Sequence, residues 1–217
     1  AVGERGALPH APPSSRQLED ASKVLIDWGA DMVYKSDITR SIRNPFVTTP
    51  TRRNKFERVG FVFEEVYKVV LDAQNAAFAE LRPGAKAKDI DAAARKVIAA
   101  GKLRSNPSEK LADYFTHGLG HGIGLDGHEP PYLVQGNAQV LEAGMAFSVE
   151  PGLYLPGRFG VRIQDTVVLH AERADALDHS PHELLVVQLA HTLFRRVRRT
   201  RTPPPPHPRL PPPPHPP

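Results

Sequence analysis

A stretch rich in glycine and histidine, HGLGHGIGLDGHE from His117 to Glu129, constrains this chain more than any other part of its sequence. Three of the ten histidines are interleaved there with five glycines. Glycine lets a backbone pass close to a ligand or adopt positive φ. Neutral imidazole is both a common metal ligand and a proton shuttle near pH 7. A lone histidine is usually structural, but three at this spacing predict a functional site.

Two aspartates precede this stretch, and each lies in an apolar or β-branched segment. Asp27 lies in VLIDWGA and Asp37 in SDITR. Residues 23–29 and 33–42 are predicted to be strands of a hairpin, which would bring the two carboxylates to one place. A buried carboxylate without a partner is costly. Metal binding would satisfy both groups, and so would capping by the backbone or pairing with Arg40.

Further polar residues lie in two later strand-like segments. Glu150 ends the apolar run MAFSVE, and Gln164 lies in GVRIQDTVVL. Carboxylates and imidazole suit Mn²⁺, Co²⁺, Fe²⁺ or Zn²⁺ rather than a thiolate-bound ion, and the chain has no cysteine. Two such ions a few ångströms apart can activate a bridging water and polarise a carbonyl.

Hydrophobic periodicity predicts helices over 56–81 and 87–100, and strands over 145–150, 152–155 and 161–169. Strands followed by helices and then by more strands are typical of an α+β protein rather than a doubly wound sheet.

The basic charge of the chain is confined to its end. Six arginines lie in the last 23 residues, so the formal charge of +4 becomes −2 for residues 1–194. We expect a folded domain over 1–190 and a basic, proline-rich, disordered tail over 191–217. Nucleic-acid binding is therefore not favoured. No window approaches a membrane span and the first residues lack a signal pattern, so we expect a cytoplasmic protein.

Taken together, the motifs resemble those of the pita-bread metallopeptidases, which include creatinase, aminopeptidase P, prolidase and methionine aminopeptidase. The matching segments, in family order, are ALPHAPPSSRQLE, LIDWGA, YKSDITR, RPGAKAKDIDAAAR, FTHGLGHGIGLDGHEPP, LEAGMAFSVEPGLYLPGRFGVRIQD and HSPHELLVV. The resemblance is to the Xaa-Pro aminopeptidase and prolidase branch. It implies an α+β fold with a curved antiparallel sheet and covering helices. The family's first helices and N-terminal domain have no counterpart here, so we expect an N-terminally truncated chain that could form homo-oligomers.

The resemblance also implies a role for each site residue. The metal ligands would be Asp27, Asp37, His121, Glu150 and Gln164, holding one or two divalent ions, with Mn²⁺ expected. Glu150 would act as general base on the attacking water. His117 and His128 would be catalytic and hold the substrate, and His10 and Arg162 would support the substrate site.

Two departures from the family pattern affect these roles. Gln164 stands where the family has a bridging glutamate, and an amide offers one neutral oxygen and an NH₂ group that repels a cation. Occupancy by two metals should weaken. Asp27 and Asp37 are ten residues apart instead of the family's typical eleven, and we expect the turn around 31–33 to absorb the difference.

The resulting prediction is a metal-dependent hydrolase that cleaves Xaa-Pro bonds at peptide N-termini. The main alternative is a catalytically inactive pita-bread module that binds a peptide or protein, which Gln164 favours. A third is a metal-free, creatinase-like hydrolase, although such a site has no need of Asp27, Asp37 and His121.

Overall fold

The computed structural model describes residues 1–18, 22–44 and 60–186 of the chain. Within these ranges there are two α-helices, α1 (Gly60–Glu80) and α2 (Ala87–Ala100), and short 3₁₀ helices at Gly3–Ala7 and Leu111–Tyr114. The strands of this part are β1 (Lys23–Trp28), β2 (Ile38–Arg43), β3 (Gly120–Gly122), β4 (Glu129–Leu133), β5 (Ala146–Val149), β6 (Gly152–Leu155), β7 (Phe159–Arg162), β8 (Asp165–Leu169) and β9 (Ala174–Ala176).

The predicted helices and most of the predicted strands are present. The helix predicted over 56–81 is α1, and its first predicted residues, 56–59, lie outside the described residues. The second hairpin strand begins at Ile38 and not at residue 33, because a loop occupies the intervening positions. The strand predicted over 161–169 is two strands, β7 and β8, which separate at Gln164 because that residue pairs with Thr39 instead.

The two helices pack against each other and cover the sheets with their apolar faces. On α1 the buried side chains recur at three- and four-residue steps, namely Val62, Phe63, Val66, Tyr67, Val70, Ala73 and Ala77. On α2 the buried residues are Ala87, Ile90, Asp91, Ala94 and Ile98, so one of the buried side chains, that of Asp91, carries a carboxylate. Gly101 ends α2, and its N–H bonds the carbonyls of Val97 and Ile98.

The strands form three antiparallel sheets around the site. β1 pairs with β2, β6 pairs with β7, and a five-stranded sheet has the order β4-β3-β5-β8-β9. An isolated bridge between Thr39 and Gln164 joins the β1–β2 hairpin to the region between β7 and β8. This mixture of segregated helices and antiparallel strands confirms the predicted α+β class.

Gly120 lets strands β3 and β5 approach more closely than side chains would permit. A Cβ atom at Gly120 would lie 1.9 Å from the carbonyl oxygen of Ser148, a distance at which any larger residue would clash. The close approach places His121 directly beside the end of β5, and the His121 N–H donates to Ser148 Oγ at 2.9 Å.

None of the helices in the described ranges is long and apolar enough to cross a membrane. The predicted tail at 191–217 lies outside those ranges.

Candidate active site

One cavity of about 610 Å³ opens between the β1–β2 hairpin and strands β3 to β7. All nine residues that sequence analysis assigned to the site line it: His10, Asp27, Asp37, His117, His121, His128, Glu150, Arg162 and Gln164. Apolar side chains, including Trp28, Ile123 and Tyr132, complete the wall. The cavity thus combines an apolar surface with convergent charged groups, an arrangement typical of a small-ligand site.

His121 lies between two carboxylates. Its Nε2 atom is 3.1 Å from Glu150 Oε1 and 3.7 Å from Asp37 Oδ2. Its Nδ1 atom is 3.0 Å from the carbonyl oxygen of Gly122. Because a carbonyl only accepts, Nδ1 carries a proton, and Nε2 faces the two carboxylates. Ser148 Oγ donates to Glu150 Oε1 at 3.0 Å and fixes that carboxylate.

The pKa shifts of these three groups follow from burial and mutual charge. Burial is the largest effect on Asp37 and raises the pKa of its carboxyl. Burial alone would lower the pKa of His121, but the hydrogen bond to Glu150 and nearby negative charge raise it overall. Burial alone would raise the pKa of Glu150, but the hydrogen bond and charge of His121, with His117 and Arg162, lower it. Glu150 is therefore ionised, and the raised pKa of His121 favours an imidazolium that donates from Nε2 to Glu150.

Asp27 forms an ion pair with the guanidinium of Arg162. Arg162 is 2% exposed, and its Nη2 donates a short hydrogen bond to Asp27 Oδ2. Thr39 lies opposite Asp27 in the β1–β2 register. Its hydroxyl is 3.1 Å from Asp27 Oδ1 and accepts from Arg162 Nε at 3.0 Å. A protein cation already neutralises Asp27.

Thr39 holds the side chain of Gln164 through its amide oxygen. Thr39 Oγ1 donates to Gln164 Oε1 at 2.8 Å. Gln164 Nε2 is buried and makes no hydrogen bond of regular geometry with the described residues. The amide lies near enough to Asp37 to oppose in part the rise in that carboxyl's pKa. The amide oxygen of Gln164 is thus already engaged by Thr39, and its NH₂ group can only donate.

His117 is part of a hydrogen-bond chain beside this cluster. Its Nδ1 is 2.6 Å from the Gly118 carbonyl, so this nitrogen carries the proton. Its Nε2 is 2.9 Å from Tyr154 Oη and accepts from that hydroxyl, which itself accepts from Arg162 Nη1 at 2.9 Å. Burial lowers the pKa of His117 and raises that of Tyr154 to about 12. This hydrogen-bond chain thus links a neutral imidazole to a neutral phenol, and the phenol to the guanidinium of Arg162.

The other two histidines lie at the cavity mouth. His10 and His128 are exposed. The ring of His128 lies 4.0 Å from that of His121, at an interplanar angle of 39°. Both are in reach of a molecule that enters the cavity from solvent.

Arg40 pairs with neither Asp27 nor Asp37. Pairing with Arg40, one of the alternatives to metal binding for these two carboxylates, is therefore not observed. The Arg40 side chain points to the opposite side of β2 and forms ion pairs of 2.6 Å with Asp165 and 3.0 Å with Asp178. Arg40 also donates to the carbonyl oxygens of Thr39 and Gln164 at 2.9 and 2.7 Å. It is a buried structural cation behind the site.

Sequence reasoning missed three polar residues of the site. Thr39, Ser148 and Tyr154 hold the charged groups in place, as their hydrogen bonds describe. The available signal was weak: Thr39 and Ser148 are polar residues at buried positions of strands, where an unpartnered hydroxyl would be unfavourable.

The chain belongs to metallopeptidase family M24, whose family model matches residues 1–171. Among its curated relatives, a probable dipeptidase PepE of Mycobacterium tuberculosis is 42% identical over 192 residues, covering 87% of this chain and 45% of the relative. An Xaa-Pro dipeptidase of Pyrococcus furiosus is 39% identical, covering 85% of this chain and 48% of the relative. The chain thus spans about half the length of these relatives.

Solved structures agree with the family assignment. The dipeptidase PepE of Mycobacterium ulcerans is 42% identical with a TM-score of 0.72, covering 86% of this chain and 45% of that one. Aminopeptidase P of Escherichia coli is 26% identical with a TM-score of 0.64, covering 81% and 42% respectively. These likenesses confirm the predicted pita-bread fold.

A metallopeptidase family implies a divalent metal, and the carboxylate and imidazole groups that line the cavity are chemically suited to one. In their present arrangement, however, no three histidine or acidic side chains of the described residues are placed so that they could hold a metal ion. The 3.1 Å between His121 Nε2 and Glu150 Oε1 is a hydrogen-bond distance, with Asp37 Oδ2 at 3.7 Å, so a metal ion bound there would have to replace the proton on Nε2. The two-ion arrangement that the resemblance implies would use Asp27, which pairs with Arg162, and position 164, where this chain has an uncharged amide. Binding of a single cation by Asp37, His121 and Glu150 stays a prediction.

Proposed function

We propose that this chain carries the catalytic site of a metal-dependent peptidase that hydrolyses Xaa-Pro bonds at peptide N-termini. The observation that carries the proposal is the imidazole of His121 held between two carboxylates in a cavity of an M24 chain. The Pyrococcus furiosus relative is named an Xaa-Pro dipeptidase, which supports a proline-containing peptide as substrate. A cytoplasmic location and homo-oligomer formation stay predictions.

The metal is proposed to be one Mn²⁺ ion, with Co²⁺, Fe²⁺ or Zn²⁺ as chemical alternatives for this donor set. Asp27, Asp37 and Glu150 carry three negative charges, and Arg162 offsets one of them through Asp27. The remaining two charges match one divalent cation. When bound, such an ion supplies Lewis acidity and lowers the pKa of a coordinated water.

The protein residues would divide the remaining work. Glu150, which Ser148 fixes in place, would hold the ion and would accept the proton of the attacking water. His128 and His10 contact the peptide at the cavity mouth. His117 Nε2 accepts from Tyr154 and carries no proton, so this nitrogen would hold the substrate by accepting a hydrogen bond, and stabilising the tetrahedral intermediate would require a proton on it. Arg162 keeps Asp27 and Tyr154 in place.

A second candidate function is peptide binding without cleavage. The buried amide of Gln164, which presents a donor toward Asp37 in place of a ligand oxygen, favours it. The same cavity would then hold a peptide but lack the charge to activate water efficiently.

Replacing Gln164 with glutamate separates the two candidates. With Mn²⁺ present we expect the parent chain to cleave an Xaa-Pro peptide slowly and Gln164→Glu to cleave it at least roughly tenfold faster, because a second anionic oxygen strengthens the metal site. The assay is peptide hydrolysis with and without Mn²⁺. The matched control is Gln139→Glu, which adds the same charge at an exposed position outside the cavity.

Peptide that binds to both proteins, with no Mn²⁺-dependent cleavage by either, would overturn the peptidase proposal in favour of the binding module. Equal rates for the parent and Gln164→Glu would show that position 164 does not limit the metal site.

A further inference from the structure

Two charged residues one turn apart on helix α2, Asp91 and Arg95, face inward although they line no part of the cavity. The Asp91 side chain has no exposed surface and that of Arg95 is 25% exposed. Arg95 Nε donates to Asp91 Oδ2 at 2.7 Å. A pair at this helical spacing ordinarily lies on the solvent face, and a buried carboxylate is retained only where further hydrogen bonds satisfy it.

Those further hydrogen bonds all go to the segment that begins the glycine- and histidine-rich stretch. Arg95 Nη2 donates to the carbonyl oxygen of His117 at 2.6 Å. The N–H of Leu119 is shared between the Leu133 carbonyl at 2.8 Å and Asp91 Oδ1 at 3.1 Å. The guanidinium carbon of Arg95 also lies 4.3 Å from the centroid of the Phe115 ring. The pair thus contacts three alternate residues of one extended segment.

Residues contacted by the pair also contact site residues directly. The Phe115 ring meets the His117 imidazole edge-on, with centroids 5.2 Å apart. The carbonyl oxygen of Leu119 accepts from the N–H of Glu150 at 2.8 Å. Helix α2 is therefore connected to the His117 ring and to the backbone of Glu150 by short chains of direct contacts.

The segment needs such support because a glycine follows each of His117 and Leu119 in the sequence. Glycine loses more conformational freedom on folding than any other residue. Groups outside such a backbone help to hold it in one conformation: β4 supplies the Leu133 carbonyl, and the carboxylate and guanidinium add one acceptor and one donor.

We propose that Asp91 and Arg95 are positioning residues, which set the orientation of the His117 imidazole and the backbone position of Glu150. The catalytic consequence rests on the proposed peptidase function, whereas the positioning itself does not.

The test compares Arg95→Met and Arg95→Lys with Lys96→Met, a control that removes an exposed cation from the neighbouring position of the same helix. The first readout is the imidazole ¹⁵N spectrum of the metal-free protein. The parent should show His117 as the neutral tautomer protonated on Nδ1. In Arg95→Met we expect averaging between tautomers, because the bonds to Gly118 and Tyr154 lose their fixed geometry. Lys96→Met should match the parent.

Arg95→Lys keeps a cation beside Asp91 but lacks the planar fork that reaches both Asp91 and His117. We expect it to unfold thermally close to the parent and still to perturb the His117 signals. In the peptidase assay, Arg95→Met and Arg95→Lys should lower kcat roughly tenfold, in the range found for groups that orient active-site ligands.

His117 spectra identical to the parent in both Arg95 variants would overturn the positioning proposal, whatever the kinetics. Altered spectra in a parent protein that cleaves no peptide would uphold the positioning and reject the peptidase function. If Arg95→Met fails to fold, Arg95→Lys alone decides the question.

Discussion

Replacing His121 with alanine is expected to weaken Mn²⁺ binding by roughly a hundredfold or more and to abolish Xaa-Pro cleavage. Substituting a group that only orients a ligand costs about 10–100-fold in metal affinity, so loss of a ligand should cost at least the upper value. The structure gives the reason: His121 Nε2 faces both Glu150 and Asp37, at 3.1 and 3.7 Å. Without it the two carboxylates repel each other and one of them takes up a proton.

The measurement is calorimetric titration with Mn²⁺ alongside peptide hydrolysis. The matched control is His128→Ala, because the His128 ring lies only 4.0 Å from His121 but is assigned to substrate contact. It should lower cleavage and leave Mn²⁺ affinity close to that of the parent. Equal Mn²⁺ affinity for His121→Ala and the parent would remove His121 from the ligand set.

A second large effect is expected on stability, from Arg40→Met behind the site. The variant leaves Asp165, which has no exposed side-chain surface, without its guanidinium partner. Breaking a buried ion pair by removing one member costs about 3–5 kcal/mol in the free energy of unfolding. Gln74 Nε2 still donates to Asp165 at 2.8 Å and His182 Nε2 lies 2.8 Å from the same carboxylate, but an amide carries no charge and the imidazole is cationic only when protonated.

Urea unfolding of the parent, Arg40→Met and Arg43→Met measures this difference. Arg43 lies on the same strand and pairs with Glu64 at 2.7 Å, but both side chains are about one-third exposed. Its loss should cost no more than about 1 kcal/mol, as for other solvent-screened pairs. Similar losses for the two variants would show that Arg40 is not a buried structural cation.

Much of the fold could be predicted because its helices have strong periodicity and clear ends. Helix α2 has the bounds 87–100 that its apolar spacing and Gly101 indicate. The strands were harder. Nothing local in GVRIQDTVVL indicates that the chain leaves one sheet at Gln164 and starts another at Asp165, because that break depends on a pairing with Thr39, 125 residues away.

The candidate site was also predictable from local sequence but not from long-range contacts. Carboxylates and histidines in apolar or glycine-rich segments were visible in the sequence, and all of those assigned to the site line one cavity. What each carboxylate contacts was not visible. Asp27 bonds Arg162, and Arg40 bonds Asp165, through contacts over more than 120 residues of chain. Likewise, the hydroxyl groups that orient the charges belong to residues common in any strand.

The most direct test of the single-cation site is the Mn²⁺ stoichiometry of the parent chain and of Gln164→Glu, measured by calorimetry. Two negative charges remain at Asp37 and Glu150 once Arg162 neutralises Asp27, and the buried amide of Gln164 offers no anionic oxygen. We therefore predict one Mn²⁺ per parent chain and a second, weaker ion only in Gln164→Glu. Two ions bound by the parent, or none bound by either protein, would contradict the assignment of Asp37, His121 and Glu150 as a site for one metal.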